Sequence, residues 1–170
     1  ASLGDRGARH DAQDPSRHAG AIIRLFHDGS VPADNPKRAG WAPELFSKGH
    51  RNPQGLAINP ETGAIWAHEH GPRGGDEINI IRAGQNYGWP KVSHGEEYSG
   101  GSIGNGTSAP GLTDPVWIWT PSIAPSGMAF YRGTMFPYLN GHLLVGSLKF
   151  KRLYLVLLEK GLPAQDTIML

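Results

Sequence analysis

The chain has 170 residues, which is enough for one domain with a sizeable core. Its 24 glycines, 14 prolines and 18% charged residues favour a turn-rich β protein over a helical or a disordered one. The formal net charge of +1 gives no electrostatic reason to expect nucleic acid or an anionic membrane as a partner, and the absence of cysteine excludes disulfides and thiolate chemistry.

The first half of the chain predicts a loop followed by four strands. Residues 1–19 show neither a helical nor a strand period and are predicted to be a loop. Residues 19–30, AGAIIRLFHDGS, predict a strand that ends in an Asp-Gly turn. Residues 55–70, GLAINPETGAIWAHEH, predict a hairpin, and residues 77–84, EINIIRAG, predict a further strand beside it.

The second half predicts a long surface excursion and then strand after strand. Residues 99–114, SGGSIGNGTSAPGLTD, are rich in glycine and serine and predict an irregular surface segment. The strands predicted after it are 115–120, 126–131, 141–148 and 152–160. No apolar run is long enough to cross a bilayer. Neither end looks like a natural terminus, so we expect this sequence to be part of a longer chain.

An imperfect repeat connects the two halves. The matched segments are 55–58 with 127–130, 63–67 with 141–145, and 78–81 with 153–156. Each unit is strand, turn, strand, polar loop and strand, which is typical of a β-propeller blade. A β-sandwich is the alternative, since it also has short strands and Gly-rich turns. Roughly three blades fit the chain, whereas closed propellers have about four to eight, so the sequence predicts part of a larger ring.

Three polar loops stand at equivalent points of the repeats, where they would meet at one rim of a propeller. They are GHRNPQG (49–55), HEHGPRGGDE (68–77) and GSLKFKR (146–152). Arg51, Lys149 and Lys151 are cations that would face an anionic ligand, and the guanidinium group suits a carboxylate. Each could instead be an ordinary surface charge, and it is the convergence of the three loops that favours a binding site.

The second loop also carries oxygen donors. Asp76, Glu77 and the carbonyls of the Gly71-Pro72 turn suit Ca²⁺ better than a softer metal, although the two carboxylates could simply be solvated turn residues. His68 and His70 make zinc an alternative, and a third nitrogen or sulfur ligand is missing from the neighbourhood.

The main interpretation of three of the tryptophans is structural. Trp89, Trp117 and Trp119 are predicted to pack between blades, or one of them to line a sugar site.

Residues 49–90, GHRNPQGLAINPETGAIWAHEHGPRGGDEINIIRAGQNYGWP, closely resemble the glucose/sorbosone dehydrogenase family, the soluble quinoprotein aldose sugar dehydrogenases. The agreement extends through 122–131 and 143–154, and back through 3–7 and 28–36. The resemblance implies an all-β fold, a six-bladed β-propeller, with residues 1–170 forming part of a single propeller domain.

The same resemblance implies a chemistry and a location. Members of the family bind pyrroloquinoline quinone (PQQ) and Ca²⁺ and oxidise the C1 hydroxyl of an aldose substrate to a lactone, passing electrons to an external acceptor. A periplasmic or secreted location is implied, with no nucleic acid and no membrane span, and the oligomeric state is not predicted.

Specific residues follow from the match. The resemblance implies that the cofactor is contacted by Arg51, Asn52, Tyr98, Lys149 and, with less support, Lys151. It implies that the carbonyls of Gly71 and Pro72 face the Ca²⁺ that bridges to PQQ, and that Glu77 and the carbonyl of Tyr87 hold a structural Ca²⁺. The family's general-base histidine would lie upstream of LGDRG, so no catalytic base is assigned, and His18, His70 and His94 are not candidates.

Two other classes of function remain open at this stage. One is a non-enzymatic propeller fragment that binds sugar or a protein partner, and the other is a structural piece stabilised by calcium. In the enzyme interpretation, this chain alone is expected to be inactive.

Overall fold

A computed structural model describes all 170 residues, and eleven β-strands form three antiparallel sheets. The first sheet contains β1 (Ser2–Leu3), β2 (Ala21–Ile23) and β3 (Leu45–Lys48). The second contains β4 (Pro53–Ile58), β5 (Ile65–Glu69), β6 (Asp76–Ile81) and β7 (Trp117–Trp119). The third contains β8 (Pro125–Phe130), β9 (Leu143–Ser147), β10 (Arg152–Glu159) and β11 (Leu162–Ile168). Two short 3₁₀ helices, Arg9–Gln13 and Pro137–Leu139, complete the structure, and neither is long and apolar enough to cross a membrane.

The predicted repeat is confirmed by the order of the strands. In the second and third sheets every strand pairs with the next strand along the chain. The repeat segments coincide with β4 and β8, β5 and β9, and β6 and β10. A fourth, outer strand completes each sheet, β7 in one and β11 in the other. The result is two four-stranded, blade-like sheets and a three-stranded sheet before them, which is the architecture of propeller blades.

The N-terminal region differs most from its prediction. Residues 1–19 contain β1 and a 3₁₀ helix, and the strand predicted over 19–30 covers only Ala21–Ile23. Residues 99–114 lie outside the named strands, as predicted, but they are not wholly on the surface. Ile103 is buried and packs with Ala12 and Trp89, because this loop folds back over the N-terminal segment.

The main core lies between the second and third sheets. Its buried members are Trp66, Ile78, Trp119, Ile123, Leu143, Val145, Tyr154 and Val156. Trp66 meets Phe130 edge to face, with 5.4 Å between ring centroids. Trp117 packs against the same cluster, so the prediction that Trp117 and Trp119 pack between blades is confirmed, whereas Trp89 lies elsewhere.

Strand β5 separates two environments because successive side chains point to opposite faces of a sheet. Trp66 and His68 face the third sheet. Ala67 faces the first sheet, where it packs in a smaller cluster with Ile22. Glu69 points the same way as Ala67, toward the buried residues of the β3–β4 connection.

The loop after β5 and the turn after β9 lie at the same end of their sheets, because both are attached to the segment that leads into β8. His70 Nε2 lies 2.7 Å from the carbonyl of Pro125. Ser147, the last residue of β9, donates its hydroxyl to the carbonyl of Ile123. Two of the three loops that the sequence predicts to meet at one rim are therefore brought to the same rim.

Candidate functional site

Arg51 lies at the centre of the polar residues on this rim. Its Nη1 donates to the carbonyls of His70 and Gly71, both at 2.9 Å, and its Nη2 donates to the hydroxyl of Tyr98 at 3.3 Å. The guanidinium carbon lies 5.4 Å from the ring centre of Trp89. The structure thus joins three of the predicted site residues, Arg51, Gly71 and Tyr98, by direct hydrogen bonds.

The loop that carries Arg51 is hydrogen-bonded to Glu69, a buried carboxylate. Its Oε2 accepts the backbone amides of Arg51 and of Asn52, the latter at 3.2 Å. Its Oε1 lies 2.9 Å from His50 Nδ1 and accepts Asn79 Nδ2 at 3.3 Å. Since a carboxylate only accepts hydrogen bonds, His50 donates through Nδ1. Glu69 therefore satisfies two adjacent amides and fixes the backbone that bears both predicted cofactor contacts.

A serine continues this chain of hydrogen bonds. Ser47 Oγ lies 2.9 Å from His50 Nε2, and the imidazole stacks on Tyr87 with 4.7 Å between ring centroids. Serine, histidine and glutamate stand in the order of a hydrolase triad. All three side chains are buried, so no substrate carbonyl reaches the Ser47 hydroxyl. The arrangement is a structural support for the site.

A small cavity lies beside Arg51 and has room for about one ion or water molecule. Its volume is about 30 Å³. Its acidic lining residues are Glu69, Glu77 and Asp114. Burial, together with the negative charge of Glu69, raises the pKa of Glu77 to about 8. A cation in this space would stabilise the ionised form of Glu77, which burial disfavours.

The carbonyl groups around the cavity fit the same interpretation. Gly71, Pro72 and Tyr87 also line it. The carbonyls of Pro72 and Tyr87 accept no backbone hydrogen bond, and that of Gly71 accepts one from Arg51. The structure contains no group of three or more His, Cys, Asp or Glu side chains that is arranged to hold a metal ion. A metal here would rely on backbone carbonyls with a carboxylate, a set of hard oxygen donors that suits Ca²⁺.

The structure corrects the expectation that Asp76 is a metal donor. Its Oδ1 accepts the amide of Gly71 and the hydroxyl of Ser122, both at 2.8 Å. Its Oδ2 accepts the amide of Ala124 at 2.7 Å. Asp76 alternates with Glu77 along β6 and therefore faces away from the cavity. Its role is to anchor the β5–β6 loop to the segment that enters the third sheet.

The remaining predicted cofactor contacts are less closely connected. Asn52 borders an open polar depression of about 320 Å³ that also includes Arg51 and Gln54, and its Oδ1 accepts Gln54 Nε2 at 2.9 Å. Lys149 and Lys151 are exposed on the β9–β10 turn, and neither ammonium group forms a hydrogen bond or salt bridge with the protein. The two lysines lie on the same rim as Arg51 and Asn52 but are not hydrogen-bonded to them.

The histidines of this region differ in burial and in their hydrogen-bond partners. The His70 ring is tied to the carbonyl of Pro125, and His18 pairs with Glu44 on the surface. His94 lines the cavity, and burial lowers its pKa. His68 is fully buried with no hydrogen bond to either ring nitrogen.

Two residues contact Arg51 in a way that the sequence does not indicate. Glu69 was visible only as one of several charges in its loop, and Trp89 was assigned to packing between blades. The first could have been suspected from its place at the inward end of β5. The second depends on contacts with residues more than 75 positions away, such as Asp5.

Two four-stranded antiparallel meanders and a third sheet, with polar loops gathered at one rim, define the class of protein as a β-propeller, of which this chain forms three blades. Residues 1–169 match the sequence model of the Glucose / Sorbosone dehydrogenase family. The chain belongs to that family.

Similar proteins agree in sequence and in structure. Aldose sugar dehydrogenase YliI of Escherichia coli (strain K12) is 47% identical over 154 residues, which cover 88% of this chain and 42% of that protein. The crystal structure of a glucose dehydrogenase superposes with a TM-score of 0.96 at 46% identity, over 99% of this chain and 50% of that one. The PQQ-bound aldose sugar dehydrogenase of Streptomyces coelicolor gives a TM-score of 0.76 at 30% identity, over 98% of this chain and 43% of that one. The chain thus spans about half the length of the proteins it matches.

Proposed function

We propose that the protein carrying these residues is a PQQ-dependent dehydrogenase that oxidises the C1 hydroxyl of an aldose to a lactone and passes the electrons to an external acceptor. The observation that carries the proposal is the setting of Arg51. Its guanidinium group is pinned to the carbonyls of His70 and Gly71 beside an ion-sized cavity lined by carboxylates. A cation and a cation-binding cavity side by side suit an anionic cofactor bound next to a metal ion.

The proposed cofactor contacts are the cations and polar groups of the rim. Arg51, Asn52 and Tyr98 bind the tricarboxylate quinone from one side. Lys149 and Lys151 approach from the β9–β10 turn. An arginine presents a planar fork to a carboxylate, whereas a lysine supplies a mobile point charge. Held by these residues, PQQ would supply an acceptor for the hydride of the sugar C1.

The proposed metal contacts divide into two groups. Glu77 with the carbonyl of Tyr87 holds a structural Ca²⁺ in the cavity, which has room for about one ion. The carbonyls of Gly71 and Pro72 face a separate Ca²⁺ outside the cavity, next to the cofactor. The raised pKa of Glu77 supports the first group, because a divalent cation would stabilise the ionised form that burial now disfavours.

We assign no general base to these 170 residues. The proton of the C1 hydroxyl must pass to a group near the cofactor. His68 is buried among the blades and His70 is tied to a backbone carbonyl, so neither is placed to receive it. We propose that the base lies in a part of the protein outside this sequence, and that the protein acts in the periplasm or outside the cell.

The test is a calorimetric titration of PQQ into the intact protein, with Ca²⁺ and then with excess EDTA, followed by aldose oxidation with an artificial electron acceptor. We expect calcium-dependent binding that weakens at least tenfold in Arg51→Ala, a loss of more than about 1.4 kcal/mol. We expect a smaller weakening in Lys149→Ala. Lys160→Ala is the matched control, since Lys160 is an exposed cation at the β10–β11 turn, at the other end of the sheet.

Other outcomes would identify the other classes of function. A folded protein that binds aldoses but not PQQ would be a sugar-binding propeller. A protein whose melting temperature falls with EDTA, and which binds neither ligand, would use calcium for structure alone.

A further inference from the structure

We infer that Trp89 is a positioning residue for Arg51, an inference that rests on the proposed function in which Arg51 binds the cofactor. The guanidinium carbon lies 5.4 Å from the centre of the indole, within the range of about 6 Å over which a cation is attracted to an aromatic face. Trp89 is buried, so the contact is partly shielded from water and is stronger than a stacking pair on the surface.

The indole is itself fixed at several points. Its Nε1 donates to Asp5 Oδ2 at 2.7 Å. The backbone amide of Trp89 donates to the carbonyl of Gly49, two residues before Arg51. The backbone carbonyl of Trp89 accepts Gln13 Nε2 at 2.7 Å. The ring cannot turn without breaking the bond to Asp5. Trp89 is therefore a rigid surface against which a long, flexible side chain can be ordered.

A second cation on the same indole is balanced by an anion. The Arg9 guanidinium carbon lies 5.5 Å from the ring centre. Arg9 forms an ion pair with Glu97, which directly precedes Tyr98. Because Glu97 offsets its charge, Arg9 can share the ring with Arg51 at a reduced repulsion. The pair also fixes the chain next to the hydroxyl that accepts Arg51 Nη2.

These contacts leave Arg51 prepared for a ligand. A guanidinium group has five N–H donors. Three of them are used, by the carbonyls of His70 and Gly71 and by the Tyr98 hydroxyl. Two donors remain available to a carboxylate that lies in the plane of the group. With Trp89 in place the side chain loses little further entropy when the cofactor binds, and such preorganisation raises affinity.

The experiment is a double-mutant cycle in the intact protein, with the dissociation constant of PQQ measured at a fixed Ca²⁺ concentration. Trp89→Leu keeps an apolar side chain and removes the aromatic face. We expect it to weaken PQQ binding about tenfold while kcat at saturating PQQ changes less than about twofold. Trp89→Phe keeps a ring without the bond to Asp5, and we expect an intermediate weakening of about threefold.

The matched control is Trp41→Leu. Trp41 also carries stacked cations, with the Arg38 guanidinium carbon 5.6 Å and Lys48 Nζ 5.8 Å from its ring centre, but it does not touch Arg51. We expect PQQ binding to be unchanged in this variant. If Trp89→Leu does not fold, Trp89→Phe takes its place in the cycle.

The decisive comparison uses the Arg51→Ala background, in which the substitution at Trp89 should have no further effect. An equal loss in both backgrounds would mean that Trp89 acts on the fold in general, and this would overturn the inference. Wild-type affinity in Trp89→Leu, with Arg51→Ala impaired, would overturn the inference and leave the proposed function standing. Wild-type affinity in Arg51→Ala would overturn the role of Arg51 in the proposed function, and the inference with it.

Discussion

The two faces of the second sheet differ in composition, although the same strands form both. The face toward the third sheet is packed by large apolar side chains, with Trp66 and Ile78 at its centre. The face toward the first sheet has a smaller apolar cluster and a buried polar chain from Ser47 through His50 to Glu69.

Stability and function are divided between these two faces. Apolar packing is not directional and holds one sheet against another. Hydrogen bonds are directional, so the polar face can specify where the backbone of Arg51 and Asn52 lies. We expect substitutions on the apolar face to reduce stability alone, and those on the polar face to reduce cofactor binding as well.

The largest effect is expected from Trp66→Ala, on the apolar face. The side chain is 1% exposed, and its loss should lower the free energy of unfolding by about 4 kcal/mol. Denaturant unfolding measures this, and PQQ affinity of the fraction that remains folded should be unchanged. Trp66→Phe is the control and should lose distinctly less. A Trp66→Ala protein of normal stability would show that the packing between these sheets is not what holds them together.

The next effect concerns His68, a titratable group on the apolar side. Desolvation lowers its pKa from 6.5 to about 4, so the folded protein binds fewer protons than the unfolded chain between these values. Stability should therefore fall as the pH drops from about 6.5 to about 4, by up to about 3 kcal/mol from this group.

The His68 contribution is best measured as a difference. The raised pKa of Glu77 acts in the opposite direction, since it favours the folded state as the pH falls from about 8. Subtracting the pH profile of His68→Leu from that of the wild type cancels the contribution of Glu77. If the stabilities of the wild type and His68→Leu changed in parallel between pH 6.5 and 4, the lowered pKa of His68 would be contradicted.

On the polar face, Glu69→Gln should cost about 2 kcal/mol of stability, because the new amide presents donors where His50 and two backbone amides need an acceptor. The Arg51 loop loses its anchor at the same time. PQQ should therefore bind more weakly, as calorimetry would show. Glu61→Gln, on an exposed turn, is the control and should change neither quantity. Loss of stability with full PQQ affinity would remove the distinction between the two faces.

The smallest effect is expected from Ser47→Ala, at the far end of the polar chain. It leaves His50 Nε2 without its partner, at a cost of about 1 kcal/mol in thermal or denaturant unfolding. Because Glu69 keeps its bonds to the Arg51 loop, PQQ affinity should stay within about twofold of the wild type. A tenfold loss would mean that the whole chain, and not Glu69 alone, positions the site.

The fold could be predicted where strands carry a visible apolar pattern. The hairpin of β4 and β5, and the strands β6 and β8 to β10, follow runs of aliphatic residues bounded by turn residues. Strand β11 was missed because its outer position leaves most of its side chains exposed, so that no alternation is required. Strand β3 was missed because it is four residues long and two of its residues are polar.

The candidate site could be predicted only in part. The spacing of the polar loops indicated which residues share a rim, and in the structure Arg51 donates hydrogen bonds to the Gly71 carbonyl and the Tyr98 hydroxyl. The orientation of Asp76 away from the cavity depends on the register of β6. The stacking of Trp89 depends on a fold-back of the N-terminal segment. Neither is encoded in local sequence, because both are set by contacts between distant parts of the chain.

The alternation along β5 also has a consequence for protein engineering. Inserting or deleting one residue within Ile65–Glu69 would exchange the two faces for every residue beyond that point, turning Glu69 toward the third sheet and placing a histidine, His68 or His70, where Glu69 supports the Arg51 loop. Libraries that vary chain length should therefore leave this strand untouched. The exposed turn from Pro60 to Gly63 is a segment where added or removed residues leave both faces in register.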